Sequence, residues 1–227
     1  TPKPSSAASD VYKRQEPDFE IPAPHRFVRL DLDDPQAIGR LLPGIDVIVH
    51  LAGIPHASAS FDELLPNNIL ATTYLFEAAV QAGCRRLVFA SSAQTIEGYP
   101  VDRQITPGMP VMPANLYGVS KCYGEALCAF YAAKRGLSCI ALRIGAFEDP
   151  KHHELTTTRD LSAWLSPRDA VQLLQRAVET PGVQLLIGHG ISNNRFKRLD
   201  LSETTRVLGY EPVDDAFQED FGIPITY

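Results

Sequence analysis

The sequence predicts an α/β protein built on a parallel sheet with helices on both faces. Two observations support this prediction: short apolar runs alternate with longer amphipathic segments, and glycines end several of those segments. A near-continuous apolar run is typical of a strand that is buried on both faces. A chain of 227 residues suits one domain with a small appendage.

The first predicted strand comprises residues 26–31, an apolar run. Asp34 can then cap a helix that begins at Pro35, because its side chain accepts hydrogen bonds from the first free N–H groups. A strand buried on both faces is predicted at 46–53, and one long helix at 61–82.

The next two strands are predicted at 87–91 and 138–144, on either side of a helix at 116–135 that Gly136 ends. Residues 95–113 are rich in proline and glycine and are expected to form a loop that covers a site. Strands and helices that alternate at this spacing predict a single parallel sheet.

After residue 148 the pattern loosens. Residues 149–162 are polar and irregular, and a helix at 167–179, a short strand at 183–187 and a short helix at 202–208 follow. We interpret 149–227 as mostly a small lobe.

The first 15 residues are expected to be a non-native or disordered tail. Residues 5–9 have low complexity, and residues 10–15 resemble the translated end of a sequencing adapter. The alternative is a native tail without an apolar period. Either interpretation excludes the tail from the predicted fold.

Composition excludes several classes of function. The net charge of −6 argues against nucleic acid as a partner, and no apolar segment reaches the ~18 residues that a membrane helix needs. The four cysteines form no C-x-x-C pair, which favours reduced thiols and a cytoplasmic protein. We expect His152, His153 and Glu154 to be solvent-exposed, and we predict no metal site.

Tyr117 and Lys121 carry the strongest chemical pattern. Residues four apart on a helix lie on one face, so an ammonium would stand beside a phenol. A free phenol titrates near pH ~10, and a neighbouring cation favours its ionised form. The apolar run at 87–90 predicts a buried strand that ends in Ser91 and Ser92, and the helix begins about 25 residues later. We therefore predict a site for acid–base chemistry.

A serine followed by Tyr-x-x-x-Lys resembles the extended branch of the short-chain dehydrogenase/reductase superfamily, the NAD-dependent epimerase/dehydratase type. The resemblance covers roughly residues 27–217. Within this branch the chain is most similar to the uronate dehydrogenases, and the segments that carry this similarity are 89–96, 116–125, 142–145, 159–164 and 190–194.

The resemblance implies an NAD-dependent oxidoreductase that oxidises C1 of a uronic acid or a related sugar. Its implied catalytic residues are Ser92, Tyr117 and Lys121. Its implied cofactor-binding residues are Asp31, Leu32, Leu51, Ala52, Gly53, Asn68, Tyr117 and Lys121. Its implied substrate-binding residues are Ser92, Ala93, Gln94 and Arg159, with Arg159 holding the sugar carboxylate in a bidentate pair.

The resemblance also implies a Rossmann-like, doubly wound parallel sheet that lacks its first two strands. The sequence has no G-x-G-x-x-G turn for a pyrophosphate, and residues 26–31 resemble the third strand of such a sheet. We therefore expect a fragment that is shorter by roughly 50 residues, binds NAD poorly and is inactive by itself. The predicted division is a tail at 1–15, an incomplete dinucleotide-binding domain at 16–148 and a substrate lobe at 149–227.

Several alternatives remain open. The strand at 26–31 could instead pair directly with the strand at 46–53. The choice between NAD and NADP lies in the second strand, and the sugar is open because Ala93 and Gln94 stand where an Asn-His pair is usual. A nucleotide-sugar epimerase or dehydratase, or a non-catalytic NAD-responsive protein, are the other candidate functions. The resemblance is also compatible with a homodimer through helices 61–82 and 116–135.

Overall fold

The computed structural model describes residues 10–13, 20–151, 155–219 and 221. Its strands are β1 (Asp10–Lys13), β2 (Arg26–Arg29), β3 (Val47–His50), β4 (Arg86–Ser92), β5 (Ser138–Ile144), β6 (Ala146–Phe147), β7 (Trp164–Leu165) and β8 (Leu185–Gly190). Its α-helices are α1 (Pro35–Leu41), α2 (Phe61–Leu64), α3 (Ala71–Gln81), α4 (Leu116–Arg135), α5 (Thr158–Ser162), α6 (Pro167–Glu179) and α7 (Ser202–Leu208). A π-helix spans Leu65–Leu70, and a 3-10 helix spans Ala93–Thr95.

The main sheet has four parallel strands in the order β3-β4-β5-β8. Alternate residues of β4 enter different cores, because successive side chains of a strand point to opposite faces. Leu87 and Phe89 pack with α1, α3 and α4, whereas Val88 packs with α6 and α7. Helices thus cover both faces, and the predicted parallel α/β sheet is confirmed.

The strand β2 pairs in parallel with β1 and not with β3. The alternative in which β2 joins β3 directly is therefore wrong. Residues 10–13 of the predicted tail form β1, because the open edge of β2 offers them a ladder of backbone groups. The rest of the tail at 1–15 lies outside the described residues, and its non-native origin stays a prediction.

The strand β3 is more exposed than the sequence predicts. Ile48 and His50 are buried, but Val49 is 38% exposed and Leu51, just after the strand, is 57% exposed. The reason is position: in the described ranges, no strand pairs with the outer edge of β3. This matches the predicted sheet that lacks its first two strands.

The predicted helix at 61–82 is divided by a π-helical turn. Pro66 lies at the start of that turn and has no N–H group, so it cannot donate the α-helical bond to Asp62. The chain adopts wider i→i+5 bonding there and continues as α3. In the described ranges, no helix combines the length and apolar character that crossing a membrane requires.

The region after residue 148 has more structure than predicted. β6 pairs with β7, and α5 begins at Thr158 behind a capping box formed by Thr157 and Asp160. The bounds of α6 and α7 are as predicted, but α6 packs against the main sheet and β8 extends it. The domain boundary at residue 148 remains a prediction.

Candidate active site

Helix α4 is held very close to strand β4 by two glycines. A Cβ atom on Gly118 would lie 2.3 Å from the carbonyl oxygen of Gln94, and one on Gly124 would lie 2.2 Å from the ring of Phe89. Asn115 caps the helix by accepting a hydrogen bond from Gly118 N at 2.8 Å. The start of α4 is therefore fixed beside the end of β4.

This packing brings the hydroxyl groups of Tyr117 and Ser92 together. Tyr117 is only 8% exposed, and burial raises the pKa of its phenol, while a hydrogen bond with the Ser92 side chain opposes that rise. Lys121, which was expected to lower this pKa, is not among the causes of its shift. Lys121 Nζ lies 5.6 Å from the centroid of the Tyr117 ring and donates its hydrogen bond to the carbonyl oxygen of Ala90.

Lys121 is buried at the same place. Its Nζ atom donates to the carbonyl oxygen of Ala90 at 2.7 Å and lies 5.0 Å from the centroid of the Phe89 ring. Burial lowers the pKa of Lys121 to about 8, so the side chain is mostly charged at neutral pH. An ammonium has three N–H groups, so it can still donate to a ligand.

Asn68 joins the loop after β3 to α4. Its Oδ1 atom accepts from Ile54 N at 2.8 Å, and its Nδ2 atom donates to Ile54 O at 3.1 Å and to Ser120 Oγ at 3.0 Å. Ser120 Oγ in turn donates to the carbonyl oxygen of Tyr117 at 2.7 Å. Asn68 is 4% exposed, so its amide is buried between this loop and α4.

The same amide also shapes the turn at Gly53. This residue has φ +146°, and a Cβ atom there would lie 3.1 Å from Asn68 Oδ1. Leu51 and Ala52, which precede it, are exposed. The predicted cofactor turn therefore lies open to solvent and is connected through Asn68 to the helix of Tyr117.

Asp31 and Leu32 are placed differently from the other predicted cofactor residues. Both follow β2, which pairs with β1 outside the four-stranded sheet. Asp31 is exposed, and Leu32 packs against the core that contains α1 and α3. Their cofactor role remains a prediction.

The predicted substrate residues Ala93 and Gln94 form the 3-10 turn that Ser92 begins. Ser92 Oγ accepts from Gln94 N at 3.2 Å, and Ala93 is buried. Gln94 Oε1 accepts from Asn115 Nδ2 at 2.7 Å. Gln94 thus fixes the start of α4, and direct contact with substrate is a prediction.

Arg159, the predicted carboxylate ligand, lies on α5 and is paired within the protein. Its Nη2 atom donates to Glu97, and its Nη1 atom lies 3.4 Å from Asp160 Oδ1. Within the described part of the chain, its buried Nε atom has no hydrogen-bond partner. Glu97 could not be identified from the sequence, because nothing local joins positions 62 residues apart.

A second group that sequence reasoning missed lies beneath the site. Glu125 accepts two hydrogen bonds from Arg143, at 2.8 Å each, and one from Ser91 Oγ at 2.6 Å. The carboxylate and the guanidinium are 4% and 3% exposed. Glu125 lies one helical turn after Lys121 on the same face, and that spacing beside an arginine in a buried strand could have revealed the pair.

The described residues contain no group of three or more His, Cys, Asp or Glu side chains arranged to hold a metal ion. The segment 152–154, which holds the adjacent histidines, lies outside the described residues. All four cysteines are within the described ranges and form no disulfide.

Comparison with known proteins gives consistent matches. Residues 5–179 match the NAD dependent epimerase/dehydratase family. Uronate dehydrogenase of Pseudomonas putida is 38% identical over 195 residues, which are 85% of this chain and 70% of that protein. L-arabinose 1-dehydrogenase (NAD(P)(+)) of Haloferax volcanii is 36% identical over 210 residues, 83% of this chain and 82% of that protein.

A solved structure agrees with these relatives. A mutant of uronate dehydrogenase from Agrobacterium tumefaciens, complexed with NAD, superposes with a TM-score of 0.82 at 34% identity. The match covers 92% of this chain and 76% of that one. The predicted Rossmann-like fold is thereby confirmed. The chain belongs to the NAD dependent epimerase/dehydratase family, an enzyme family whose cofactor is NAD.

Proposed function

We propose that this protein oxidises C1 of a free sugar, a uronic acid or a related aldose, with NAD as the acceptor. The observation that carries the proposal is the buried Tyr117 hydroxyl, hydrogen-bonded to Ser92 and adjacent to the buried ammonium of Lys121. Relatives named uronate dehydrogenase and L-arabinose 1-dehydrogenase support a sugar substrate. The chain spans 66–70% of three such uronate dehydrogenases, so we propose the reaction for the protein that contains this chain.

In this reaction the C1–H bond and the C1 O–H bond of the sugar both break, and a lactone forms. Tyr117 takes the hydroxyl proton as its phenolate, and Ser92 orients the sugar hydroxyl by hydrogen bonding. NAD, when bound, accepts the hydride from C1. Because burial raises the pKa of Tyr117, the oxidation should become faster as the pH rises above neutrality.

The residues present fit the nicotinamide end of NAD. Lys121 and Tyr117 would hold the adjoining ribose, and the exposed turn that ends at Gly53 would lie under it. Asn68 would keep that turn in place. The 227 residues contain no G-x-G-x-x-G turn, so we assign no residue to the pyrophosphate. We predict weak NAD binding, and micromolar affinity in a calorimetric titration of this chain would contradict that.

The decisive assay measures NADH formation with NAD and a panel of free uronic acids, neutral aldoses and nucleotide sugars. Tyr117→Phe should lower the rate by about 10²–10⁴-fold, the usual contribution of a positioned acid or base. Tyr123→Phe is the matched control, because it removes a phenol from the same helix that bonds only Thr73 Oγ1 among the described contacts.

Other outcomes would reject the proposal. Conversion of a nucleotide sugar without net NADH would indicate an epimerase or dehydratase. NAD binding without turnover, unchanged in Tyr117→Phe, would indicate a non-catalytic NAD-responsive protein.

We also propose that two copies associate through the helices at 61–82 and 116–135. Phe61, Val119 and Phe130 on these helices are 57%, 49% and 49% exposed and could be buried against a second copy. Phe130→Asp should yield monomers in sedimentation analysis if this face is the interface. A cytoplasmic location, suggested by the unpaired cysteines, is likewise a proposal.

A further inference from the structure

The guanidinium of Arg159 has two protein carboxylates as partners. Glu97 takes Nη2, and Asp160 lies next to Nη1 at 3.4 Å. Arg159 and Glu97 are only 23% and 20% exposed, so water screens their attraction less than it would on the surface. Arg159 and Glu97 are therefore a stable ion pair, and together with Asp160 the group carries one excess negative charge.

Glu97 is attached rigidly to the segment that holds Ser92. Thr95 Oγ1 donates to Ser92 O at 2.8 Å, and Ile96, just before Glu97, is fully buried. Three residues of 3-10 helix and two extended residues span at most about 13 Å, so Glu97 is near the serine. The substrate role proposed for Arg159 would place Glu97 at the far end of a monosaccharide whose C1 lies at Tyr117.

The neighbouring arginine offers no replacement for Arg159. Arg198 donates through Nη1 to Arg103 O at 2.7 Å and to Pro100 O, and through Nη2 to Tyr99 O at 2.9 Å. These carbonyl groups belong to the loop that follows Glu97. Arg198 therefore holds the loop, and both of its Nη atoms are bonded to protein carbonyl groups.

We propose that Glu97 makes this site select a sugar with a neutral hydroxyl at the end remote from C1, over a sugar with a carboxylate there. A sugar carboxylate would have to displace Glu97 from Arg159 or approach two carboxylates already in place. A neutral hydroxyl can donate to Glu97 without displacing it from Arg159. This inference rests on the proposed oxidation of sugars and names the substrate class.

Galactose and galacturonate test the inference directly, because they differ only at C6. Calorimetric titration should show that the protein binds galactose at least about tenfold more tightly, a typical effect of one close charge pair. In Glu97→Gln, which keeps the side-chain shape and removes the charge, galacturonate affinity should rise about tenfold and the preference should reverse. Glucose and glucuronate form a second pair for the same test.

Asp102→Asn is the matched control, because it removes an equal charge from an exposed position on the same loop. The ratio of its affinities for galactose and galacturonate should stay within about twofold of the wild-type ratio, as expected for a screened charge. Glu97→Ser serves as the second variant if Glu97→Gln does not fold, and the same reversal is expected.

Each result has a defined meaning. Tighter wild-type binding of galacturonate, no gain in both Glu97 variants, or an equal gain in Asp102→Asn would overturn the role of Glu97. A reversal of binding without NADH from any sugar would reject the proposed oxidation and retain the inference. NADH formed chiefly from galacturonate would retain the oxidation and reject the inference.

Discussion

Lys121 Nζ donates a 2.7 Å hydrogen bond to the carbonyl oxygen of Ala90, two residues before Ser92. The bond fastens the lysine of α4 to the strand that carries the serine. A buried ammonium with this one protein acceptor is costly to keep charged, and the measured consequence should be a dependence of stability on pH.

Lys121→Met should make that dependence visible. Burial lowers the pKa of Lys121 from 10.5 to about 8, so between these values the unfolded chain binds more protons. The free-energy cost of keeping Lys121 charged in the folded protein is therefore complete below pH 8 and decreases as the pH rises. The free energy of unfolding of Lys121→Met relative to wild type should fall by roughly 2 kcal/mol between pH 7 and 9.5 in urea titrations. A difference that is constant with pH would contradict the buried charge.

His50 should contribute to loss of stability in acid. Its Nε2 atom is 3.0 Å from Thr72 Oγ1, and burial, followed by the nearby charge of Lys121, lowers its pKa to about 3. The stability associated with the neutral ring is complete above pH 6.5 and is lost as the pH falls towards 3. The free energy of unfolding of wild type falls between pH 7 and pH 4. In His50→Gln the fall over the same range should be smaller by roughly 3 kcal/mol.

The control for this measurement is His56→Gln, which changes an exposed histidine in the loop after β3. It should keep the wild-type loss of stability in acid. An unchanged loss in His50→Gln would show that the His50 ring is accessible to protons in the folded state.

Asn68→Ala should uncouple the Gly53 turn from α4. The substitution leaves Ile54 N and Ile54 O without their side-chain partner, at a cost of about 2–3 kcal/mol in the free energy of unfolding. Affinity for NAD should fall as well, because the turn is no longer fixed. Asn67→Ala is the matched control, since Asn67 bonds only Glu63 O among the described contacts and should cost below about 1 kcal/mol. Equal effects in denaturant titrations would contradict the assigned link.

Glu125→Leu should destabilise the protein by about 3–5 kcal/mol, because it leaves Arg143 as a buried charge without its partner. The double variant Glu125→Leu with Arg143→Met should recover much of that loss, since an apolar pair of similar volume avoids both desolvation penalties. Thermal denaturation of Glu125→Leu, Arg143→Met and the double variant gives the coupling free energy between the two residues. Strictly additive losses would mean that the pair does not act as a unit.

Local chemistry made the helix α4 and its pair Tyr117 and Lys121 predictable. Asn115 caps its first turn and Gly136, with φ +72°, ends it, so both bounds could be inferred from the sequence. The closeness of Ser92 could be anticipated only through the family resemblance. The structure supplied its physical basis, which is the contact of α4 with β4 through Gly118 and Gly124.

Other features depend on contacts that a linear pattern does not contain. The exposure of Val49 follows from which strand lies beside β3, and the π-helix follows from Pro66 within an otherwise regular apolar period. The pairing of Arg159 with Glu97 joins distant segments, and it changed the interpretation of an arginine that the sequence alone assigned to substrate. Side-chain partners of this kind require three-dimensional placement.

The glycines at 118 and 124 have a consequence for how this protein responds to heat. At these two positions the contact is closed by backbone and by a rigid aromatic ring, which cannot yield by changing rotamer. Thermal inactivation should then coincide with the melting of the whole sheet, and no temperature range should exist in which a folded protein has lost its acid–base geometry.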